Sequence, residues 1–244
     1  MNTEVDNITF DDAVERCCEL ASGPRRGNYV VTPNVDHIVQ LEKDDELRAV
    51  YRDADLILTD GKPLIWISKG YGSPIKEKIS GSDLFPVLCS ECSKRCLTMY
   101  FFGAAPGVAQ KAADNLTAKF PGLRVVGTMS PDYGFERDSK KVDEAISQIN
   151  EAAPDILIVG LGCPKQEKFI HHYRDRIHAK LMLGLGASLD FEAGNVTRAP
   201  EWMQRCGLEW LYRITQDPAR LAKRYLVDDL KIVPLIFKYR KAGC

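Results

Sequence analysis

The sequence has no long apolar run and little net charge, and each absence excludes a class of protein. No stretch approaches the roughly 18 consecutive apolar residues of a membrane-spanning helix. The polar, acidic start Met-Asn-Thr-Glu-Val-Asp also lacks the basic and apolar parts of a secretory signal. The formal net charge is −1, whereas nucleic-acid-binding domains usually present a basic field. We therefore expect a cytoplasmic protein, soluble or lying on a membrane surface, with no nucleic-acid partner.

Cysteine is too sparse for a disulfide scaffold. The chain has eight cysteines in 244 residues, which we interpret as reduced thiols. Cys89, Cys92 and Cys96 are spaced i, i+3 and i+7, which places them on one apolar helix face. A metal site here would need a fourth ligand with comparable spacing, and the sequence supplies none. We therefore expect a packed helix rather than a metal centre.

The fingerprints of dinucleotide and metal-dependent enzymes are incomplete. Gly103-x-x-x-Gly107 lacks the G-x-G-x-x-G order, and Gly184-x-Gly186 has no third glycine. Asp53-Ala-Asp55 looks like an acidic pair that holds a divalent ion on a nucleotide-sugar, but it precedes its strand. We interpret both acids as solvated linker residues. The sequence thus predicts no NAD-type cofactor and no bound metal.

Short β-branched runs alternate with helical periodicity through most of the chain. This alternation is typical of βαβ units and predicts a Rossmann-like α/β fold: a mostly parallel sheet with helices on both faces. Ligands of such sheets bind at the carboxyl ends of the strands. The expected strands are residues 29–32, 56–59, 97–102, 123–126, 156–159 and 181–183.

Polar residues and glycines follow the expected strands. Thr32 and Asn34 come after the first strand and Asp60 after the second. Gly103 and the pair Gly127-Thr128 follow the third and fourth. A carboxylate among such neighbours favours a ligand-binding crevice. The alternative for Asp60 is the N-cap of a helix over residues 61–70.

The loop Gly162-Cys-Pro-Lys-Gln-Glu167 joins a buried strand to a helix. Such a turn offers free backbone N–H groups and the positive end of a helix dipole, and Lys165 adds a full charge. We therefore expect a phosphorylated small molecule here. Pro164 fits equally well as a structural helix-start residue.

The C-terminal part changes to helix without strands and becomes basic and aromatic. Residues 195–244 carry ten basic and five acidic side chains, so this part is +5 and the remainder −6. Leu221, Tyr225, Leu230 and Phe237 recur at helical spacing among basic residues, which suits an anionic membrane surface. Packing on the core or across an interface between copies of the chain fits the periodicity as well. We divide the chain into an α/β domain, 1–195, and a helical appendage, 196–244.

A series of motifs carries a family resemblance. They are Thr32-x-Asn34, Ala54-Asp55 through Asp60-Gly61, Ser80-Gly-Ser-Asp-Leu84, Gly162-x-Pro-Lys-Gln-Glu167, Gly186-Ala-Ser-Leu-Asp-Phe191 with Gly194, Arg198-Ala-Pro200, and Gly207-Leu-Glu-Trp-Leu-Tyr-Arg213. In this order, from about Thr32 to Tyr225, they resemble the bacterial TagA/WecG/CpsF type of glycosyltransferase, family 26.

The resemblance implies an inverting, metal-independent glycosyltransferase. Its donor would be a UDP-sugar, N-acetylmannosamine or a relative, and its acceptor a polyprenyl-diphosphate-linked N-acetylglucosamine. The product would enter teichoic acid or surface polysaccharide synthesis. The enzyme would act peripherally on the inner face of the cell membrane, and the appendage would help to bind the membrane and close the active site.

The resemblance also assigns residues. Asp60 matches the proposed general base, and Lys78 stands where the family pattern usually has arginine, so it keeps the charge but loses the bidentate fork. Cations and backbone donors would stabilise the departing diphosphate in place of a metal. The expected substrate-binding residues are Thr32, Asn34, Gly103, Gly162, Lys165, Gln166, Glu167, Asp190, Arg213, Arg220 and Arg224.

Two alternatives stay open at this stage. One is a transferase of the same fold that uses UDP-glucose or a UDP-uronic acid. The other is a non-catalytic nucleotide-sugar-binding membrane protein, which Lys78 motivates and Asp60 argues against. The oligomeric state is also open.

Overall fold

The chain folds around one sheet of six strands, all parallel. The computed structural model describes residues 1–242, except for the side chains of Arg220, Lys241 and Ala242. The strands lie in the order β2-β1-β6-β5-β3-β4. Their bounds are β1 Asn28–Val31, β2 Leu56–Ile57, β3 Thr98–Gly103, β4 Arg124–Met129, β5 Ile156–Gly160 and β6 Leu181–Gly184. All six expected strands, and the α/β class, are confirmed.

Helices connect the strands and make up the C-terminal part. The α-helices are α1 Phe10–Ser22, α2 Val35–Leu41, α3 Asp45–Arg52, α4 Lys62–Gly70, α5 Gly81–Arg95, α6 Val108–Lys119, α7 Ser139–Ala152, α8 Lys165–Tyr173, α9 Ser188–Glu192, α10 Glu201–Cys206, α11 Glu209–Gln216, α12 Pro218–Lys223 and α13 Ile232–Ala242. A π-helical turn, Arg224–Asp228, and a 3-10 turn, Asp229–Lys231, join α12 to α13, and a 3-10 turn Phe135–Arg137 precedes α7.

Two apolar cores cover the two faces of the sheet. Successive strand residues point to opposite faces, so each buried strand supplies both cores. One core joins Val30, Phe101, Ile158 and Leu183 to α1, α5, α6 and α9. The other joins Tyr29, Phe102, Leu157 and Met182 to α2, α3, α7 and α8. Each fully buried side chain of this size contributes about 1.5–3 kcal/mol, which explains why continuous apolar runs predicted the strands well.

Helices that follow neighbouring strands pack on opposite faces of the sheet, and this creates two crevices at its carboxyl edge. After β3 the chain enters α6 in the first core, whereas after the adjacent β5 it enters α8 in the second core. In the same way α2 after β1 and α9 after the adjacent β6 lie in opposite cores. Loops that leave neighbouring strands toward opposite faces diverge and open a binding crevice.

The end of β4 differs from the expectation. Gly127 and Thr128 lie inside β4, which continues to Met129, so the prediction that they line the crevice is wrong. The physical reason is packing: a Cβ at Gly127 would lie 2.4 Å from the ring of Tyr100 on β3. The loop that does leave β4 begins at Ser130.

The cysteine and linker predictions are partly corrected. Cys89 and Cys92 are buried on α5 as expected, but Cys96 is exposed and ends the helix in the left-handed region, φ 57°. Asp53 and Asp55 do lie in the linker before β2, yet they are not simply solvated. Asp55 accepts hydrogen bonds from Arg25 at 2.7 Å and from the Tyr29 backbone at 3.0 Å, and so anchors the start of the sheet.

Helices and short connecting turns make up the C-terminal part from Glu201 to Ala242. Leu221 is buried, whereas Leu226, Val227, Leu230 and Phe237 are 53–60% exposed. Among the described residues, no helix is both long and apolar enough to span a bilayer. The division of the chain at residue 195 stays a prediction.

Candidate active site

A cavity of about 360 Å³ lies over the carboxyl ends of β1 and β2, and we call it the Asp60 cavity. The loops after these strands, the start of α5 and the C-terminal helices form its wall. Its lining includes Asn34, Asp60, Lys78, Ser82, Phe191, Glu209, Trp210, Arg213, Arg224 and Tyr225. The cavity therefore brings residues from both ends of the chain together.

Asp60 is held at this cavity by backbone structure. It follows the buried Leu58 and Thr59, and its backbone N–H donates to the Pro33 carbonyl at 2.8 Å. Gly61, with φ +104°, is the N-cap of α4, and no side chain caps that helix. The helix-cap alternative for Asp60 is therefore wrong, and its carboxylate faces the cavity instead.

The surroundings of Asp60 make it a stronger base than an ordinary aspartate. Burial raises the pKa of Asp60 to about 6. The charges of Lys78 and Arg213 pull the pKa down, whereas the charge of Glu209 pushes it up. A carboxylate with this pKa is ionised at neutral pH and close enough to that pH to accept a proton in a reaction.

Lys78 belongs to a charge network at the cavity wall. Its Nζ lies 2.8 Å from Asp83 Oδ2, and Arg198 Nη1 lies 2.8 Å from Asp83 Oδ1. Burial opposes ionisation of Asp83, but hydrogen bonds from Lys78 and Ser80 and the two positive charges outweigh it and lower the pKa of Asp83 to about 2. Asp83 therefore stays ionised and fixes the ammonium group of Lys78.

Two arginines of the C-terminal part that we predicted to bind substrate, Arg213 and Arg224, line the same cavity. Arg224 Nε lies 3.3 Å from Asp36 Oδ2, and its Nη2 lies 3.4 Å from Asn34 Oδ1. The Arg213 guanidinium lies 5.6 Å from the centroid of the Phe191 ring. The side chain of Arg220 lies outside the described residues, so its role stays a prediction.

The residues after β1 differ in their access to the cavity. Asn34 lines the cavity and also caps α2, because its Oδ1 accepts from the His37 backbone N–H. Thr32 is only 8% exposed at the end of β1. A substrate contact by Thr32 stays a prediction, whereas Asn34 lies where such a contact can form.

A second cavity, of about 630 Å³, lies where β3 and β5 diverge, and we call it the Tyr133 cavity. Ala104 to Pro106 after β3, Gly160 and Leu161 at the end of β5, and residues 131–136 after β4 line it. Gly103 itself has φ +112°, and a Cβ there would lie 2.5 Å from the Gly160 carbonyl oxygen. Close approach of the two loops therefore explains this glycine, and its predicted substrate contact stays a prediction.

Lys165, the predicted phosphate ligand, lines the Tyr133 cavity. Its Nζ lies 2.7 Å from Glu136 Oε1 and 4.5 Å from the centroid of the Tyr133 ring. Tyr133 is 93% exposed, and we did not predict its role. An aromatic residue in the turn Pro131-Asp-Tyr-Gly134 after a strand was the available signal.

Gln166 and Glu167 are buried, at 4% and 1% exposure. Gln166 Oε1 accepts from the backbone N–H of Gly162 at 3.2 Å and of Gly186 at 3.1 Å, and its Nε2 donates to Glu167 at 2.8 Å. Gln166 thus ties the loop after β5 to the loop after β6. Ligand contacts by Gln166, Glu167 and Gly162 stay predictions, as does that of Asp190, which is half-buried in the first turn of α9.

The fold and the candidate site together indicate a class of enzyme. A doubly wound parallel sheet with a basic carboxylate and several cations at its carboxyl edge is typical of enzymes that act on nucleotide-linked substrates. The chain belongs to the glycosyl transferase WecG/TagA/CpsF family, whose model matches residues 1–243. The family resemblance is thereby confirmed.

Two curated relatives carry the same name, N-acetylglucosaminyldiphosphoundecaprenol N-acetyl-beta-D-mannosaminyltransferase. The protein of Bacillus spizizenii (strain ATCC 23059 / NRRL B-14472 / W23) is 34% identical over 218 residues, which cover 89% of this chain and 82% of the relative. That of Bacillus subtilis (strain 168) is 32% identical over 194 residues, 80% of this chain and 73% of the relative.

Proposed function

We propose that this protein transfers N-acetylmannosamine from a UDP donor to N-acetylglucosaminyl-diphosphoundecaprenol. The reaction inverts the anomeric centre and needs no metal. The names of the two relatives support the sugar and the acceptor. The observation that carries the chemistry is Asp60, a carboxylate of pKa about 6 that caps no helix and faces a cavity with lysine and arginine in its wall.

The two cavities suggest how a long donor binds. We place the uridine in the Tyr133 cavity, against the exposed tyrosine ring, and the sugar in the Asp60 cavity. Strand β6 lies between β5 and β1, so the loops after β5 and β1 are about 10 Å apart. An extended nucleotide-sugar can span this distance, with its diphosphate over the loop after β6.

The chemistry is a single displacement. Asp60 takes the proton of the acceptor hydroxyl as that oxygen attacks the anomeric carbon, and the bond from this carbon to the diphosphate oxygen breaks. UDP leaves with the bonding electron pair, so negative charge develops on its terminal phosphate. Lys78, Arg213 and Arg224 stabilise this charge, because cations fixed in place before the reaction cost little reorganisation during it.

The C-terminal helices offer a binding surface for the lipid-linked acceptor. The exposed side chains of Leu226, Val227, Leu230 and Phe237 lie on the same helices that wall the Asp60 cavity. Apolar side chains among basic ones bind anionic membrane surfaces. We therefore place the protein on the inner face of the membrane, with its appendage closing the cavity over the acceptor.

The test is UDP release from a panel of UDP-sugars, with and without a short-chain lipid-diphosphate-N-acetylglucosamine, in EDTA. We expect release only from UDP-N-acetylmannosamine and only with acceptor. Release from UDP-glucose or a UDP-uronic acid instead would show that this sugar nucleotide, and not UDP-N-acetylmannosamine, is the donor. UDP binding without release from any donor would favour a binding protein and reject the enzyme.

A further inference from the structure

A cluster of three side chains lies next to the Asp60 cavity, in contact with its lining residue Asn34, and has no part in the proposed displacement. His37, Cys163 and Glu167 each offer one ligand atom, and these atoms lie within 4.8 Å of one another. His37 comes from the first turn of α2, and the other two come from the loop after β5 and the start of α8. His37 and Glu167 are buried, and Cys163 is half-buried.

The geometry fits a tetrahedral cation. His37 Nε2 lies 3.3 Å from Glu167 Oε1. Bonds of about 2.0–2.2 Å from zinc to nitrogen and oxygen place two such ligands about 3.4 Å apart in a tetrahedron. A thiolate would lie about 3.6 Å from the imidazole nitrogen. Since the ligand atoms lie within 4.8 Å of one another, the sulfur needs to move by about 1.2 Å at most.

The orientation of His37 is set as metal-binding histidines require. Its Nδ1 lies 2.8 Å from Asn34 Oδ1. When Nδ1 carries the proton and donates it to this amide oxygen, Nε2, which lies 3.3 Å from Glu167 Oε1, can bind a cation. Metal-binding histidines commonly donate their second N–H to an oxygen in this way, which fixes the ring.

Glu167 supplies an independent sign of a missing partner. Its Oε2 is buried and has no hydrogen-bond partner among the described residues. A buried carboxylate oxygen without a partner is costly, and a cation would satisfy it. From these observations we propose that His37, Cys163 and Glu167 bind one thiophilic divalent cation, foremost Zn²⁺, with water in the fourth position.

The cation would act as a brace next to the active site. It would join α2 to the loop after β5, one hydrogen bond away from Asn34 of the Asp60 cavity. On binding, the Cys163 thiol loses its proton to solvent and its sulfur bonds the metal. The site does not depend on the proposed transfer reaction and takes no part in it.

The test titrates Co²⁺ into the full chain after EDTA treatment and dialysis. We expect one equivalent to bind with a thiolate-to-metal absorption band and with the intense visible bands of four-coordinate cobalt. Zn²⁺ should displace it and Mg²⁺ should not, because the ligand set contains sulfur and imidazole. Cys163→Ser should abolish the thiolate band and weaken binding at least about tenfold.

Matched controls are Cys96→Ser and Cys206→Ser, since both thiols are exposed. Both variants should bind Co²⁺ as the unmodified protein does. No thiolate band in the unmodified protein, a band that persists in Cys163→Ser, or a band lost in either control would overturn the site. X-ray absorption of the unmodified zinc complex checks the same point without a variant: one sulfur ligand at about 2.3 Å is expected, and a shell of only nitrogen and oxygen would contradict it.

Discussion

The two cavities lie at the same edge of one sheet, yet they are built differently. The Asp60 cavity has buried and half-buried charges held by ion pairs, and helices from the C-terminal part form one of its walls. The Tyr133 cavity is formed mainly by glycine, alanine and proline loops and by aromatic rings, and its charged residues include the ion pairs of Lys165 with Glu136 and of Lys168 with Glu46. Charges fixed before the reaction suit chemistry, whereas backbone and aromatic surfaces suit recognition of a base. The difference predicts that changes in the first cavity slow turnover and changes in the second weaken donor binding.

The largest effect is expected for Asp60→Asn. This variant keeps the shape of the side chain but cannot accept a proton, so kcat should fall by about 10²–10⁴-fold with little change in donor affinity. Steady-state UDP release together with UDP binding measures both quantities. Turnover within threefold of the unmodified protein would remove Asp60 from the reaction.

The next largest effect is expected when one cationic side chain of the Asp60 cavity is removed. Lys78→Ala and Arg213→Ala should each lower kcat by about 10²–10³-fold, because charge on the departing diphosphate is then stabilised less. Lys78→Arg should retain most activity. Arg205→Ala is the matched control, since that side chain is 82% exposed on α10 and pairs with Glu201 alone among the described residues. An equal loss in Arg205→Ala, or normal turnover in both test variants, would contradict this assignment.

A smaller effect is expected in the Tyr133 cavity. Tyr133→Ala should raise KM for the donor and the Kd for UDP by about tenfold, the contribution of one aromatic stacking contact, and leave kcat nearly unchanged. Tyr133→Phe should bind almost normally. A fall in kcat with unchanged UDP affinity would show that the two cavities do not divide binding and chemistry as proposed.

The smallest effects concern stability. Asp60 has a raised pKa in the folded protein, so its ionisation opposes folding: its contribution to stability falls as the pH rises from about 4 to about 6 and stays low above that. Asp60→Asn should therefore increase the free energy of unfolding at pH 8 and change it little at pH 4. Urea unfolding at both pH values measures the difference. An equal effect at the two pH values would show that the pKa of Asp60 is not raised.

The sequence predicted the sheet well because β1, β3, β5 and β6 are almost continuous buried runs, whose length and flanking turns need no distant information. It also brought out Asn34, Asp60, Lys78, Arg213 and Arg224, which the fold collects at one cavity. Asn34 and Asp60 could be inferred because polar residues stand where apolar runs stop, whereas the role of Asp60 as a base and the roles of Lys78, Arg213 and Arg224 came from the family resemblance.

Other features depend on contacts between distant parts of the chain. The Tyr100 ring packs over Gly127 inside β4, and without that contact the sequence placed the end of this strand too early. Gln166 and Glu167 look like loop residues in sequence, but both lie buried at the start of α8, and the Gln166 side chain joins two loops. His37 and Glu167 are 130 residues apart, so no local spacing could place them beside Cys163.

The most direct test of the account is the pH dependence of the rate of the transfer step, with and without Asp60. Single-turnover UDP release should be followed from pH 4.5 to 8.5 at saturating donor and acceptor in EDTA. The account predicts a rate that rises with pH and levels off above an apparent pKa near 6, and a residual rate in Asp60→Asn without this rise. The same rising limb in Asp60→Asn would show that another group accepts the proton and would contradict the proposed mechanism.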